Sequence, residues 1–163
     1  MNKTETIARA RQLRQDDQLE ASQDLLFQLM KEYPDDPLVL FEVGGSFDVL
    51  GQEADAIPYY QEAIEAGLSG ADLQECLVCL GSSLRVTGQF DAAIDTLTDA
   101  TTQFPDNNSS RVFLALAYYS KGEYEAATRL LLTLLLETTQ DDDILAYSGA
   151  LEYYKENLDE VIT

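Results

Sequence analysis

The sequence predicts an all-α protein, a right-handed α-solenoid of about four helix-turn-helix repeats with a C-terminal capping helix. Three stretches superpose without a gap: VGGSFDVLGQEADAIPYYQEAI from Val43, LGSSLRVTGQFDAAIDTLTDAT from Leu80 and LALAYYSKGEYEAATRLLLTLL from Leu114. In each stretch a small residue, a turn glycine and an alanine follow one another, and their spacing is the same in all three stretches. Because one helical hairpin cannot bury its own apolar face, this recurrence predicts stacked neighbours.

The repeat units begin near Pro37, Gln74 and Asn108, at separations of 37 and 34 residues. One more step of 34 residues towards the N-terminus reaches Lys3, and the segment after it fits the same frame. We therefore expect one solenoid domain over residues 1–163, with repeats at about 3–36, 37–73, 74–107 and 108–141. Residues 142–163 would form a cap that covers the last apolar face.

The shared positions have a physical role in such a hairpin. Small residues at positions 8 and 20 of the unit let two antiparallel helices approach closely, and apolar residues at positions 7, 11, 24 and 27 fill the seam. A glycine between the helices permits the left-handed backbone of a tight turn. The residues concerned are Gly44, Gly81 and Ala115 at position 8, Ala56, Ala93 and Ala127 at position 20, and Gly51, Gly88 and Gly122 in the turns.

With this pattern the chain resembles the tetratricopeptide repeat family, whose unit is a helix-turn-helix of about 34 residues. The resemblance covers residues 3 to about 141, with a partial fifth unit after them. The segments AIPYYQEAIEAGL, GSSLR and GQFDAAI are similar to those of a group of small soluble bacterial members. The resemblance implies a concave groove lined by the first helices and a non-catalytic role in binding other proteins. In the first repeat, Asp17 replaces the turn glycine.

Pro58 lies inside the predicted second helix of the second repeat, where a proline removes a backbone hydrogen bond. Because it stands only a few residues into that helix, we expect a bend or a late helix start near Ala56. The following AGLSGAD predicts a helix end with Gly67 as its left-handed cap, and it holds the three residues that lengthen this unit.

The charge of the chain excludes several partners. It has 30 acidic and 10 basic residues and no histidine, which gives a formal net charge of −20. Such a protein repels nucleic acids and anionic membrane surfaces, so we expect a protein or peptide partner, with homodimerisation as an option. The N-terminus lacks an apolar signal segment, and no apolar run approaches the ~18 residues of a membrane span, which predicts a cytoplasmic protein.

Catalysis is not expected from these residues. Without histidine there is no common general base, and no glycine-rich phosphate loop or calcium-loop spacing occurs, so we predict no enzyme, no cofactor and no metal site. Cys76 and Cys79 have C-x-x-C spacing, but they lie well inside a predicted helix. We interpret them as core or groove thiols, with a redox pair or a metal site as the less favoured alternative.

In the family, positions 2, 5, 9 and 12 of the first helices face the groove. The resemblance therefore implies a groove that runs from a basic N-terminal end, through small residues, to an apolar and aromatic C-terminal end. Such a groove suits a peptide with an acidic end. An equally weighted alternative is that Arg14, Asp48 and Arg85 form a ladder of exposed ion pairs. The expected groove residues are Arg11, Arg14, Phe41, Gly45, Asp48, Val78, Ser82, Arg85, Val112, Leu116, Tyr119 and Tyr153.

The second helix of the fourth repeat contains LLLTLLL, which is apolar on all sides. Its outward positions would be Leu130, Leu132 and Leu136, and large exposed apolar patches usually mark interfaces. The second function hypothesis is therefore an accessory or regulatory subunit, or a homodimer, that contacts its partner through this face. Alternatively, residues 157–163 fold back over it.

Overall fold

The computed structural model describes every residue, Met1–Thr163, and forms ten helices and no strand. It is the all-α repeat solenoid that the sequence predicts. Four helical hairpins follow one another and two shorter helices complete the chain. In order, the helices are α1 (Lys3–Gln15), α2 (Leu19–Glu32), α3 (Pro37–Asp48), α4 (Glu53–Glu65), α5 (Gly70–Val86), α6 (Phe90–Gln103), α7 (Ser109–Lys121), α8 (Tyr124–Thr138), α9 (Asp142–Leu145) and α10 (Ser148–Glu156).

The hairpins stack in sequence order. The second helix of each hairpin packs against the first helix of the next, and α3, α5 and α7 also contact each other in turn. Helices α1, α3, α5 and α7 therefore lie side by side and form what we call the inner surface. The core is nearly continuous, with one cluster from α3 to α7 and a smaller one among α1, α2 and α3.

Close helix contact at position 8 holds each hairpin together. A Cβ atom on Gly81 would lie 2.4 Å from Cγ of Leu97, and a Cβ on Gly44 would lie 2.7 Å from the ring of Tyr60. Leu97 and Tyr60 both stand at position 24 of their repeats and are fully buried. Position 8 is therefore small because the side chain at position 24 occupies the space that a methyl group would need.

The turns between the helices use left-handed backbone, as expected. Gly51, Gly88 and Gly122 have φ values of 72°, 83° and 89°. Asp17 takes the same place in the first repeat with φ 59°, and it is the one residue other than glycine with positive φ. Aspartate is among the few residues that tolerate this conformation, because its short polar side chain adapts to it.

Pro58 does not delay its helix, so the expected late start near Ala56 is wrong. Helix α4 already begins at Glu53, and the amide of Ala56 donates to the carbonyl of Gln52 at 3.1 Å. The hydrogen bond that proline removes would have reached Ala54, which is exposed to water. Burial of the neighbouring Ile57 and Tyr60 holds the helix in place despite that loss.

The insertion in the second repeat extends a helix. Gly67 has φ 95°, which confirms it as the left-handed cap of α4, and the amide of Leu68 returns to the carbonyl of Ala63 at 3.1 Å. Helix α5 then begins at Gly70 and runs for 17 residues, whereas α7 has 13. The inserted residues therefore add about one turn to the start of α5.

The C-terminal segment differs from the single capping helix that we expected. Helix α9 ends at Leu145 after four residues, and α10 begins at Ser148 and packs against α8. A Cβ atom on Gly149 would meet no atom within 4 Å, because no second helix lies against this position. No helix of the chain combines the length and apolarity that crossing a lipid bilayer demands.

We predict opposite effects for two glycine-to-alanine substitutions. Gly81→Ala should lower the free energy of unfolding by about 1–3 kcal/mol, because the buried Leu97 must move. Gly149→Ala should leave it unchanged or raise it by up to about 1 kcal/mol, since alanine favours the helix and meets open space. Urea denaturation measures both, and equal losses would contradict the close contact at position 8.

Candidate functional site: the inner surface

The C-terminal part of the inner surface is an apolar stripe on α7. Val112, Leu116 and Tyr119 are all exposed at helical spacing, and Tyr119 is the most exposed of them at 64%. Its ring packs against that of Tyr124, with 5.1 Å between centroids. We call these three residues the inner stripe. They occupy positions 5, 9 and 12 of their repeat, as the sequence predicts.

The N-terminal part of the inner surface contains a pocket of about 440 Å³, which we call the groove pocket. Helices α1, α3 and α5 supply most of its walls. Five residues expected in the groove line it: Arg11, Arg14, Phe41, Gly45 and Asp48. Sequence reasoning assigned Cys79 to the core or the groove, and it did not select the other six, which are Gln15, Glu42, Val49, Tyr60, Asp72 and Glu75.

Glu42 is the central charge of the groove pocket. Its side chain is 3% exposed, and it accepts a hydrogen bond from Arg11 Nε at 2.7 Å and another from Arg14 Nη2 at 3.2 Å. The hydrogen bond to Glu42 raises the pKa of Arg11. The backbone of Gly45 leaves room for the Arg14 guanidinium, whose Nη1 would lie 3.4 Å from a Cβ there.

The expected ladder of Arg14, Asp48 and Arg85 is therefore wrong. Asp48 Oδ2 accepts a hydrogen bond from the Tyr60 hydroxyl at 2.8 Å, and Arg85 donates to Ser120 at 3.3 Å. The arginine pair is also not a free basic surface, because an acidic peptide would have to displace a buried carboxylate from it. Breaking a buried pair in this way leaves an uncompensated charge.

Burial dominates the other ionisable groups of the pocket. It raises the pKa of Asp48, against which the hydrogen bond from Tyr60 acts in the opposite direction. Burial, with the charges of Asp48 and Glu75, raises the pKa of Cys79 to about 11. Cys76 is fully buried, its Sγ lies 3.6 Å from the Tyr60 carbonyl oxygen, and burial raises its pKa to about 12. Both shifts are opposite to that of a reactive thiol.

The remaining expected groove residues divide between two places. Val78, Ser82 and Arg85 are half-buried on α5, between the groove pocket and the inner stripe. The aromatic and hydrogen-bonding contacts of Tyr153 lie within the C-terminal segment. Its ring is edge-on to that of Tyr154, with 5.7 Å between centroids, and its hydroxyl donates to Glu160. The break before α10 shifts the helix out of the register that we expected.

The family model for the tetratrico peptide repeat matches residues 37–158. The chain belongs to the tetratricopeptide repeat family. No curated protein matches it in sequence.

Solved structures of this family share the fold. A structure entitled MamA MSR-1 C2 is 22% identical with a TM-score of 0.65, over 77% of this chain and 68% of that one. YrrB, described as a TPR protein with an unusual peptide-binding site, is 18% identical with a TM-score of 0.71, over 94% and 78%. TPR-like repeats of a putative kinesin light chain from Podosopora anserina are 16% identical with a TM-score of 0.72, over 95% and 90%.

The last tetratricopeptide repeat exposes apolar residues, but not those that we expected. Leu130 packs against the main core cluster, and Leu132 and Leu136 are half-buried. Leu131 and Leu135 are the exposed ones, at 43% and 39%. We call these two residues the end face.

The register of the repeat explains this difference. Leu131 stands at position 24, where Leu26, Tyr60 and Leu97 of the earlier repeats are fully buried. In those repeats the first helix of the next unit covers this position. After the fourth repeat, α9 is too short and the chain breaks before α10, so Leu131 stays uncovered. Residues 157–163 include Leu158 and Asp159, which lie near the start of α8 and not over the end face.

We predict that the buried Glu42 stabilises the fold more than an exposed glutamate that also pairs with an arginine. Glu42→Gln should lower the free energy of unfolding by about 1–3 kcal/mol, because it leaves Arg11 and Arg14 without their shared carboxylate. The matched control is Glu137→Gln, which removes the exposed pair with Arg111 and should cost about 1 kcal/mol or less. Urea denaturation measures both, and a smaller loss at Glu42 would contradict its central role.

Proposed function

We propose that the protein is a non-catalytic scaffold that binds a segment of another protein along its inner surface. The observation that carries this proposal is the inner stripe, where Val112, Leu116 and Tyr119 stay exposed in one register with the residues of the groove pocket. Exposed apolar side chains that are contiguous on one face are typical of interaction sites. YrrB, with its described peptide-binding site, supports the proposal by analogy of fold.

The inner surface suits an extended or helical segment of a partner. Apolar side chains on α7 provide area for burial, and the charged pocket among α1, α3 and α5 provides direction. Tyrosine is enriched among residues that dominate binding energy, because it buries a large area at little entropic cost. The partner would therefore place apolar side chains against the inner stripe.

The end face favours a second candidate function. Leu131 is uncovered in the register where a following helix covers the other repeats. We propose that an amphipathic helix of another polypeptide docks there, which would make the protein an accessory subunit. A second copy of this chain is the less favourable occupant, because two molecules with a net charge of −20 repel each other.

One experiment separates the two candidates. A random peptide library is selected on the wild-type protein, and the enriched peptides are titrated by fluorescence polarisation. The inner-surface proposal predicts that Tyr119→Ser weakens their binding about tenfold, whereas Tyr147→Ser, at a similarly exposed tyrosine, does not. If peptide binding is lost in the Leu131→Ser variant and not in the Tyr119→Ser variant, the end face is favoured instead.

The same titrations can contradict both candidates. Peptides that bind the Tyr119 and Leu131 variants as tightly as the wild type would exclude both surfaces. Light scattering at high protein concentration tests whether a second copy of this chain occupies the end face. Self-association of the wild type that is lost in the Leu131→Ser variant would identify that second copy.

A further inference from the structure

One face of α8 is exposed over most of the helix. Tyr124, Thr128, Leu131 and Leu135 are all exposed, and they stand at positions 17, 21, 24 and 28 of the fourth repeat. We call these four residues the α8 stripe, and the end face is part of it. In the three earlier repeats every residue at these positions is buried or half-buried. The exposure of this face is therefore specific to the last repeat.

The earlier repeats show what covers these positions. In each of them the first helix of the next unit packs against the second helix. Helices α3 and α5 present apolar side chains four residues apart to this contact, which is the spacing of one helical face. Sγ of Cys76, for example, lies 3.6 Å from the carbonyl oxygen of Tyr60, at position 24. The residues that share a buried cluster with position 24 are Val39 and Val43 with Leu26, and Cys76, Leu80 and Leu84 with Tyr60.

The C-terminal segment does not take this place. Helix α10 packs against α8 but not against α7, whereas α7 itself packs against both α5 and α6. Glu156 at the end of α10 pairs with Nε of Arg129 at 3.2 Å, and Arg129 stands about 160° around α8 from Leu131. Neither α9 nor α10 contains a fully buried residue. Helix α10 therefore lies on another side of α8 and leaves the α8 stripe open.

The opposite end of the stack has a polar surface. Glu5 and Arg9 stand at positions 3 and 7 of α1, where α3 and α5 carry apolar residues, and both are exposed. Polar outer faces of this kind close a solenoid against further stacking. The α8 stripe instead presents leucines at the other end. A second copy of this chain is a poor occupant of that end, because the outer face of its α1 is polar.

The surroundings of the α8 stripe are acidic. Residues 122–163 contain ten acidic and two basic residues, which gives a net charge of −8. A hollow of about 620 Å³ adjoins the first turns of the α8 stripe, and Tyr124 and Thr128 line it. A partner with basic side chains at this end therefore has a complementary charge. The charged residues that line the hollow are Glu123, Glu125, Arg129 and Asp159.

We propose that an amphipathic helix of a partner protein docks on the α8 stripe in the place of a fifth first helix. It runs antiparallel to α8, as α5 runs to α4. Aliphatic side chains at every fourth position cover Thr128, Leu131 and Leu135, and basic side chains in its last turns lie beside the carboxylates at the start of α8. This inference rests on the second candidate function, docking at the end face, and specifies the pose and the chemistry of the partner helix.

The test uses two peptides of the same composition, each labelled with fluorescein. The peptide AKKLAKKLAKKLAKA carries its leucines on one helical face, and ALKKAKLKAKKLAKA carries them on three sides. Both are titrated with the protein at about 0.15 M salt, and fluorescence polarisation measures binding. We expect the first peptide to bind about tenfold more tightly than the second, and about tenfold more tightly than its own version with glutamate in place of lysine.

Matched variants separate the α8 stripe from the general charge of this region. Leu131→Ser combined with Leu135→Ser should weaken binding of the first peptide about tenfold, because the change removes apolar contacts and no charge. Val161→Ser combined with Ile162→Ser makes a similar change at two exposed residues of the same acidic region, and it should change binding by less than about twofold. Circular dichroism confirms that each variant is folded.

A Leu131→Cys variant reports whether the chain itself covers the α8 stripe. Its new thiol should react rapidly with an aromatic disulfide reagent in the free protein. The native Cys76 and Cys79 should react slowly, because burial raises the pKa of both thiols. The first peptide should slow the reaction of the new thiol severalfold, whereas the peptide with leucines on three sides should not.

Several results would overturn the inference. Equal binding of the two lysine peptides would do so, and so would equal losses in the two double variants. Slow reaction of the Leu131→Cys thiol in the free protein would mean that the C-terminal segment already covers the α8 stripe. Self-association of the wild type that is lost in the Leu131→Ser variant would assign this surface to a second copy.

The library-selected peptides distinguish this inference from the proposed functions. If those peptides depend on Leu131 but lack aliphatic residues four positions apart, the accessory-subunit function stands and the proposed helix is wrong. If they depend on Tyr119 and not on Leu131, the inner-surface function stands and docking on the α8 stripe is wrong.

Discussion

The structure depends on a repeated contact, found in the second and third repeats, in which the side chain at position 24 of the second helix fills the space above the glycine at position 8 of the first. The contact between Leu97 and Gly81 is the tightest example. It brings the two helices together, and the next repeat then buries the outer side of the same side chain. Each hairpin is stable only with its neighbour, which is the physical basis of a solenoid.

The same dependence places the surfaces that remain for binding. Where the stack is complete, the first helices form an inner surface whose charged groups are held by a buried carboxylate, Glu42. Where the stack ends, Leu131 loses its cover. The groove pocket and the end face are thus consequences of the repeat geometry. The strong negative charge of the chain then favours partners with basic residues over anionic ones.

Much of the fold could be predicted because position 8, position 24 and the turn are local features of a repeating sequence. The register of Gly44 and Gly81, the left-handed turns and the cap at Gly67 all follow from that pattern. The late helix start expected near Ala56 is not found, because burial of the neighbours of Pro58 outweighs one lost hydrogen bond. The break before α10 was also missed, since nothing local in the sequence marks it as strongly as a proline or glycine turn.

The site was harder to predict than the fold. Residues were assigned to the inner surface by register, and five of them line the groove pocket. Which charge pairs with which was not available from register, because Glu42 at position 6 reaches two arginines of the preceding repeat. Long side chains pair across helices according to three-dimensional distance. A ladder drawn along one register position therefore gave the wrong pairs.

Native-state hydrogen exchange, resolved by helix, tests the dependence of each repeat on its neighbour most directly. The stacking contact predicts that amides of α4, α5 and α6, which are covered on both sides, exchange only through global unfolding. Amides of α10, and then of α8 next to the uncovered Leu131, should exchange through smaller openings of lower free energy. Equal protection from α4 to α10 would contradict the claim that cover by the next repeat determines stability.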